Sequence, residues 1–335
     1  MTVNLGVIGA GRIGKVHAEN LVYRIPEARV VAVADIRRDA AQTLAQSLNI
    51  PQATADYREV LANPDVDAVL VCSSTDTHSE IIEAAANAGK HIFAEKPIDL
   101  DLAVIDRVLA AVEQAGVKFF VGFNRRFDPT YARVRDAIQS GELGDVHLIH
   151  VISRDPAPPP IEYVKVSGGI FVDMMIHDFD MARFLVGSEV EEVYTRAAVR
   201  IDSRIGEAGD VDTAVVMLTF ANGAIGTIDN SRQAVYGYDQ RVEVLGSKGA
   251  ASSGNVYPNQ VTFSTATNIC RDLPLNFFME RYTESYEREM RAFVQCIVEG
   301  TPIPVGPSDG RIPVVMALAA KKSLLEGRPV KLSEI

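Results

Sequence analysis

Val3-Asn4-Leu5-Gly6-Val7-Ile8-Gly9-Ala10-Gly11-Arg12-Ile13-Gly14 reads as a short apolar strand that runs without a spacer into a G-x-G-x-x-G turn. A helical pattern through Val16, Leu21 and Val22 follows at once. In that context each glycine has a task. Gly9 permits the tight turn, Gly11 lets a pyrophosphate approach the backbone, and Gly14 lets the helix pack close to the strand. Arg12 and Ile13 sit at the helix N-terminus, where unpaired N–H groups face a phosphate. The next apolar run, Arg29 to Ala34, ends in Asp35. A carboxylate there accepts hydrogen bonds from ribose hydroxyls and repels a 2'-phosphate, so NAD is the expected cofactor. Arg12, Arg37 and Arg38 keep NADP as the minor alternative.

Beyond Asp35, helical and apolar strand patterns alternate as far as Lys118-Phe119-Phe120-Val121. This predicts an α/β domain over residues 1–122, a doubly wound parallel sheet of the Rossmann type. Ligands bind such sheets at the carboxyl ends of the strands. Residues at three of those ends become candidates: Ser73, Ser74, Thr75 and His78 for the cofactor, Glu95 and Lys96 ahead of Pro97, and Asn124 and Arg126 for a substrate. Lys96 follows a buried strand, so its ammonium is expected at the ligand edge, where it could steady an oxygen that gains negative charge. A cis Lys96–Pro97 bond would aim it there, and a surface lysine paired with Glu95 is the competing reading.

Past residue 122 the alternation stops. Residues 123–335 read as an α+β domain with an open, mostly antiparallel sheet, from strand runs at 146–153, 190–201, 211–220, 224–231, 240–245 and 260–264. Asn222-Gly223 marks a hairpin. The run Gly168 to Arg183 reads as one helix that places Asp173, His177 and Asp180 on a single face. An imidazole between carboxylates suits acid–base chemistry, a packed histidine or a metal site, although the other histidines show no ligand spacing with it and no metal is expected. Asp155, in a proline-rich loop, and Tyr236 are further candidates for holding a substrate, against surface or packing roles for each.

Composition narrows the classes. A chain of 335 residues with 47% hydrophobic and 23% charged residues can build two cores. Its formal net charge of -11 argues against a nucleic-acid partner and leaves a neutral or cationic small substrate. No apolar run approaches the roughly 18 residues of a membrane span. Three scattered cysteines and a start that enters a strand directly suggest a cytoplasmic protein.

The glycine motif, Glu95-Lys96-Pro97 and Gly168-Gly169-Ile170-Phe171-Val172-Asp173 with His177 occur in this order, and together they resemble the glucose-fructose oxidoreductase and inositol dehydrogenase family over the full length. Gly122 to Pro129, Ser153 to Pro156 and Ile176 to Arg183 are most similar to its bacterial inositol 2-dehydrogenases. The resemblance implies a homotetramer packed through the open sheets. It also implies NAD-dependent oxidation of a polyol, myo-inositol to its 2-ketone. Within that reading Lys96, Asp173 and His177 are the catalytic set, and Asn124, Arg126, Asp155, Asp180 and Tyr236 hold the other hydroxyls. The alternatives are another inositol isomer, an aldose such as glucose, or a non-catalytic NAD(H) sensor on the same fold.

Overall fold

The computed structural model describes residues 2–335 and divides into two compact units. One runs to Phe127 and takes in Glu284–Val314, and the other comprises Asp128–Thr283 and Val315–Ile335.

The first unit is built on β1 (Val3–Ile8), β2 (Ala28–Ala34), β3 (Gln52–Thr54), β4 (Ala68–Val71), β5 (His91–Glu95) and β6 (Phe119–Gly122). These form a six-stranded sheet in the order β3-β2-β1-β4-β5-β6, and every pair is parallel. Helices α1 (Arg12–Arg24), α2 (Arg38–Leu48), α3 (Tyr57–Ala62), α4 (Thr75–Asn87) and α5 (Leu102–Ala115) make the crossovers. All four residues of β4 are buried, as a strand covered on both faces requires. Asp101 caps α5 through the Ala103 N–H, and Gly116 closes it in a left-handed conformation. Strand order reverses between β1 and β4, so the glycine loop and the Ser73 loop leave the sheet at its topological switch point.

The second unit opens with α6 (Pro129–Gln139) and continues through β7 (Val146–Arg154), α7 (Ile161–Val164), α8 (Gly169–Asp173) and α9 (Ile176–Val186). After them come β8 (Val190–Ala198), α10 (Ser203–Glu207), β9 (Thr213–Phe220), β10 (Ile225–Ser231), β11 (Asp239–Gly246) and β12 (Ala250–Ser253). With Val330–Lys331 these strands form a seven-stranded sheet in which only the β10–β7 pair is parallel. In β9, Ala214, Val216, Leu218 and Phe220 are buried while Val215 and Met217 are exposed, so one face makes the core. The turn at Asn222-Gly223 is present, with Gly223 at φ 88°.

Two expectations need correction. The strand expected at 260–264 is not part of this sheet: Thr262–Ser264 pairs only with Ile269–Arg271, as β13 and β14 of a separate ribbon. Every residue of both strands is exposed, Phe263 and Ile269 included, so neither strand lays a face against the core. The single division after residue 122 also differs from the observed units. Helix α11 (Phe278–Arg281) stays with the second unit, but most of α12 (Thr283–Glu299) and the start of α13 (Pro307–Glu326) return to the first. Phe293 of α12 explains the return: its ring lies 5.8 Å from those of both Phe93 and Phe120. No helix among the described residues is long and apolar enough to cross a membrane.

Phe293→Ala should lower stability by about 3–5 kcal/mol through the cavity it leaves among these rings. A shift of the denaturant midpoint at unchanged slope would show it, and an unaltered midpoint would mean that α12 adds little to the first unit.

Candidate active site

The glycine loop is shaped by the backbone around it. Gly9 has φ 105°, a value strained for any residue with a Cβ, and such a Cβ would collide with the Cys72 carbonyl. A Cβ on Gly14 would overlap the Gly9 carbonyl oxygen, whereas one on Gly11 would meet nothing within 4 Å. Two glycines are thus demanded by the protein itself, and the third borders open space where a phosphate can approach. Helix α1 begins without a side-chain cap and without an acid in its first turn, so its positive end is uncompensated. Asp35 braces the loop by accepting from the N–H groups of Ala10 and Arg37, at 2.8 and 2.9 Å. Each carboxylate oxygen retains a lone pair for a ribose hydroxyl. These residues fit NAD.

Behind the loop, Ser73 accepts from the Thr77 hydroxyl, Ser74 precedes α4, and Thr75 begins it. His78 faces inward. Its ring nitrogens lie 2.8 Å from the Pro97 carbonyl and 3.1 Å from that of Ser73, so it ties two strand-end loops together. Glu95 is likewise turned inward, with its Oε1 2.7 Å from His17 Nε2. The Lys96–Pro97 bond is cis, and Lys96 is partly buried.

In the second unit, the expected single helix from Gly168 to Arg183 is broken. Helix α8 stops at Asp173 and α9 starts at Ile176. The N–H groups of Met174 and Met175 both bond the Ile170 carbonyl, and those of Asp178 and Phe179 both bond that of Met175, so the regular ladder is interrupted. Asp173 and His177 therefore flank a kink instead of sharing an unbroken face. Asp173 accepts from the Tyr163 hydroxyl at 2.8 Å and from Arg232 Nη1 at 3.1 Å. Burial, and then the carboxylate of Asp173, push the Tyr163 phenol up. His177 is half-buried, and Asp180 is buried on α9.

Asn124 and Arg126 lie in a short 3-10 turn after β6 and already have protein partners. Asn124 donates to Ser285 Oγ at 3.1 Å, and Arg126 to Asp309 at 2.8 Å. Asp155 joins the segment after β10 through its backbone, which bonds Ser231 and Ala234. The Tyr236 hydroxyl donates to Asp239 at 2.6 Å and accepts from Arg154 at 3.1 Å. It lines a pocket of about 700 Å³ with Asp239, Arg241, Asn255 and Tyr257, one that Asp155, Asp173, His177 and Asp180 do not border.

Several residues escaped the sequence reading. Arg232 is buried and bridges Asp173 to Asp210, with Nη2 3.3 Å from the latter. Asp210 receives the Ile170 N–H at 3.1 Å, and a Cβ on Gly169 would come within 2.7 Å of it, which accounts for that glycine. Asp178 is wholly buried and accepts from Asn230 at 2.9 Å. Arg232, Asp210 and Asn230 come from loops and strands far from α8 in sequence, and no local spacing announces them.

A parallel sheet with this loop and acid defines an NAD-binding oxidoreductase fold. Residues 3–123 match the oxidoreductase family with an NAD-binding Rossmann fold, and residues 131–252 match the GFO/IDH/MocA C-terminal domain. The chain belongs to this family. It is 49% identical to the myo-inositol 2-dehydrogenase of Thermotoga maritima, over 99% of each chain. It is 47% identical to the inositol 2-dehydrogenase of Rhizobium meliloti, over 99% of this chain and all of that one. Among solved structures, the scyllo-inositol dehydrogenase of Lactobacillus casei with bound NAD(H) and scyllo-inositol superposes with a TM-score of 0.93 at 30% identity, covering 99% of this chain and 100% of that one.

Arg232→Ala leaves two carboxylates without their shared cation and should cost about 3–5 kcal/mol in denaturant unfolding. Arg232→Lys, which cannot span both acids as a planar fork, should fall between it and the wild type. Equal stability of all three would remove Arg232 as the clamp on α8.

Proposed function

We propose that the chain is an inositol 2-dehydrogenase that oxidises a ring carbinol of myo-inositol to the 2-ketone with NAD. The reading is carried by near-half identity, over the whole length, to relatives named for that reaction.

The first unit takes the cofactor, with Gly9, Gly11, Gly14, the start of α1 and Asp35 holding it. The bound nicotinamide supplies the acceptor for the carbinol hydride. His177 accepts the hydroxyl proton, for which an imidazole suits neutral pH. Asp173, steadied by Arg232 and Tyr163, fixes the approach of the substrate to His177. Lys96 supplies a cation for the oxygen as its proton leaves. Asp155 and Asp180 are assigned to the remaining hydroxyls, while Asn124 and Arg126 serve that role only by sharing their present partners. Tyr236 is the weakest of the assigned contacts, because Asp239 and Arg154 already engage it.

We also assign a cytoplasmic homotetramer. The outer face of the second sheet carries exposed Val215, Met217, Ile225 and Leu245, an apolar surface suited to a second copy. All three cysteines are free, as a reducing compartment would keep them.

Initial rates of NADH formation over inositol isomers and glucose test the assignment, and myo-inositol should have the highest kcat/KM. Activity with no polyol would leave a cofactor-binding sensor as the reading. His177→Ala should lower turnover roughly 100-fold or more with NAD affinity nearly intact. Turnover at the wild-type level would remove the residue as base. Met217→Glu together with Ile225→Glu should dissociate the assembly in sedimentation, and an unchanged mass would exclude this face as the contact.

A further inference from the structure

Tyr163 of α7 is 48% exposed, yet its hydroxyl is tied to the carboxylate that the proposed reaction uses. It donates to Asp173 Oδ1 at 2.8 Å, while Arg232 Nη1 holds Asp173 Oδ2 at 3.1 Å. The backbone that carries the ring is fixed independently of that hydroxyl. The N–H groups of Tyr163 and Val164 both bond the Pro160 carbonyl, and the Tyr163 carbonyl accepts from Val166 and Ser167. Val164 is buried and anchors the turn. The ring thus stands beside Asp173 on a support that loss of the hydroxyl would leave in place.

Steadying Asp173 occupies only the phenolic proton. A phenol has that one donor, and its oxygen keeps lone pairs that can accept. Burial, then Asp173 and last Asp155 push the phenol up against the opposing pull of Arg232, so the proton stays in place at neutral pH. A carboxylate offers roughly four acceptor sites, so the bonds from Tyr163 and Arg232 do not by themselves exhaust Asp173. Two acceptor oxygens, one charged and one neutral, therefore lie 2.8 Å apart. Neighbouring hydroxyl oxygens of a cyclitol stand about one hydrogen-bond length apart when they are gauche, and each brings a proton to donate. A diaxial pair is too widely spread to meet both acceptors.

We infer that Tyr163 is a specificity-determining substrate contact: its phenolic oxygen accepts from the hydroxyl next to the one that Asp173 addresses, so the two side chains together read a gauche vicinal diol. The inference rests on the proposed function, in which Asp173 meets the polyol. Selectivity then has a physical source. A substrate whose neighbouring hydroxyl is missing or turned away covers the phenolic oxygen without giving it a donor, and the water it displaces is not replaced. The glycine loop assigned to NAD belongs to the other unit, so cofactor affinity reports on the fold separately from this contact.

The test compares Tyr163→Phe, which keeps the ring and every backbone bond, with wild type on myo-inositol and on its monodeoxy analogues, each lacking one hydroxyl that is not oxidised. On myo-inositol the variant should lose about tenfold or more in kcat/KM, mainly through KM, with NAD affinity unchanged. For one analogue, the one lacking the hydroxyl that Tyr163 reads, the loss should shrink by about tenfold, since the contact is already absent. A phenol that only steadies Asp173 would lower every substrate by the same factor, and that uniform loss would overturn the contact. So would an undiminished kcat/KM on myo-inositol. A wild type that oxidises no inositol sinks the functional reading and the contact with it, whereas an active wild type with a uniform loss sinks the contact alone. Should the variant not fold, a crystal structure of the wild type with NADH and myo-inositol decides. A ring hydroxyl within about 3.0 Å of Tyr163 Oη supports the contact, and a separation beyond about 3.5 Å overturns it.

Discussion

Where β1 hands over to α1, the backbone packs against itself so closely that two side chains cannot exist. Gly9 passes the Cys72 carbonyl, and Gly14 covers the Gly9 carbonyl. This contact between the ends of two neighbouring parallel strands draws α1 down onto the sheet and brings its positive end to the reversal of strand order. The Asp35 bond to Ala10 then locks the loop to the end of β2. The room for a dinucleotide here therefore follows from packing, and the open space beside Gly11 is what the packing leaves over.

In the second unit, charge does what close packing does in the first. The segment carrying Asp173 and His177 is too broken to hold itself, since α8 has only five residues and the ladder fails before α9. Arg232 compensates from β10's exit by gripping Asp173 and Asp210, and Asp210 in turn takes the Ile170 N–H in the first turn of α8. The kink is stabilised by this lattice, and it sets the carboxylate and the imidazole on separate short supports.

What the sequence made legible divides along the same line. Features written in contiguous residues could be read: the glycine turn, Asp35, the alternating strands and the Asn222-Gly223 hairpin. Features made by distant residues could not. The break at Met174-Met175 has no proline or other local signal, and the Arg232 and Asp210 contacts that hold α8 come from outside the helix. His78 and Glu95 stood in plausible ligand positions, yet their direction depends on Pro97 and His17, which sequence spacing cannot supply. The exposed β13–β14 ribbon mimics a sheet strand locally and differs in that its apolar residues, Phe263 and Ile269, meet no core.

The return of α12 and the first turns of α13 to the first unit bears on how the protein is made. Synthesis runs from the N-terminus, so the parallel sheet is complete in sequence while Phe93 and Phe120 still await Phe293. Until the chain has been made past Phe293, the nascent protein therefore carries a nucleotide-binding sheet with an uncovered aromatic face. A chaperone that recognises apolar surface has its longest opportunity on this unit, the one emerging first. The same threading means that exchange of the cofactor module with a relative requires matched junctions near 127, 283 and 314, rather than one cut in the middle of the gene.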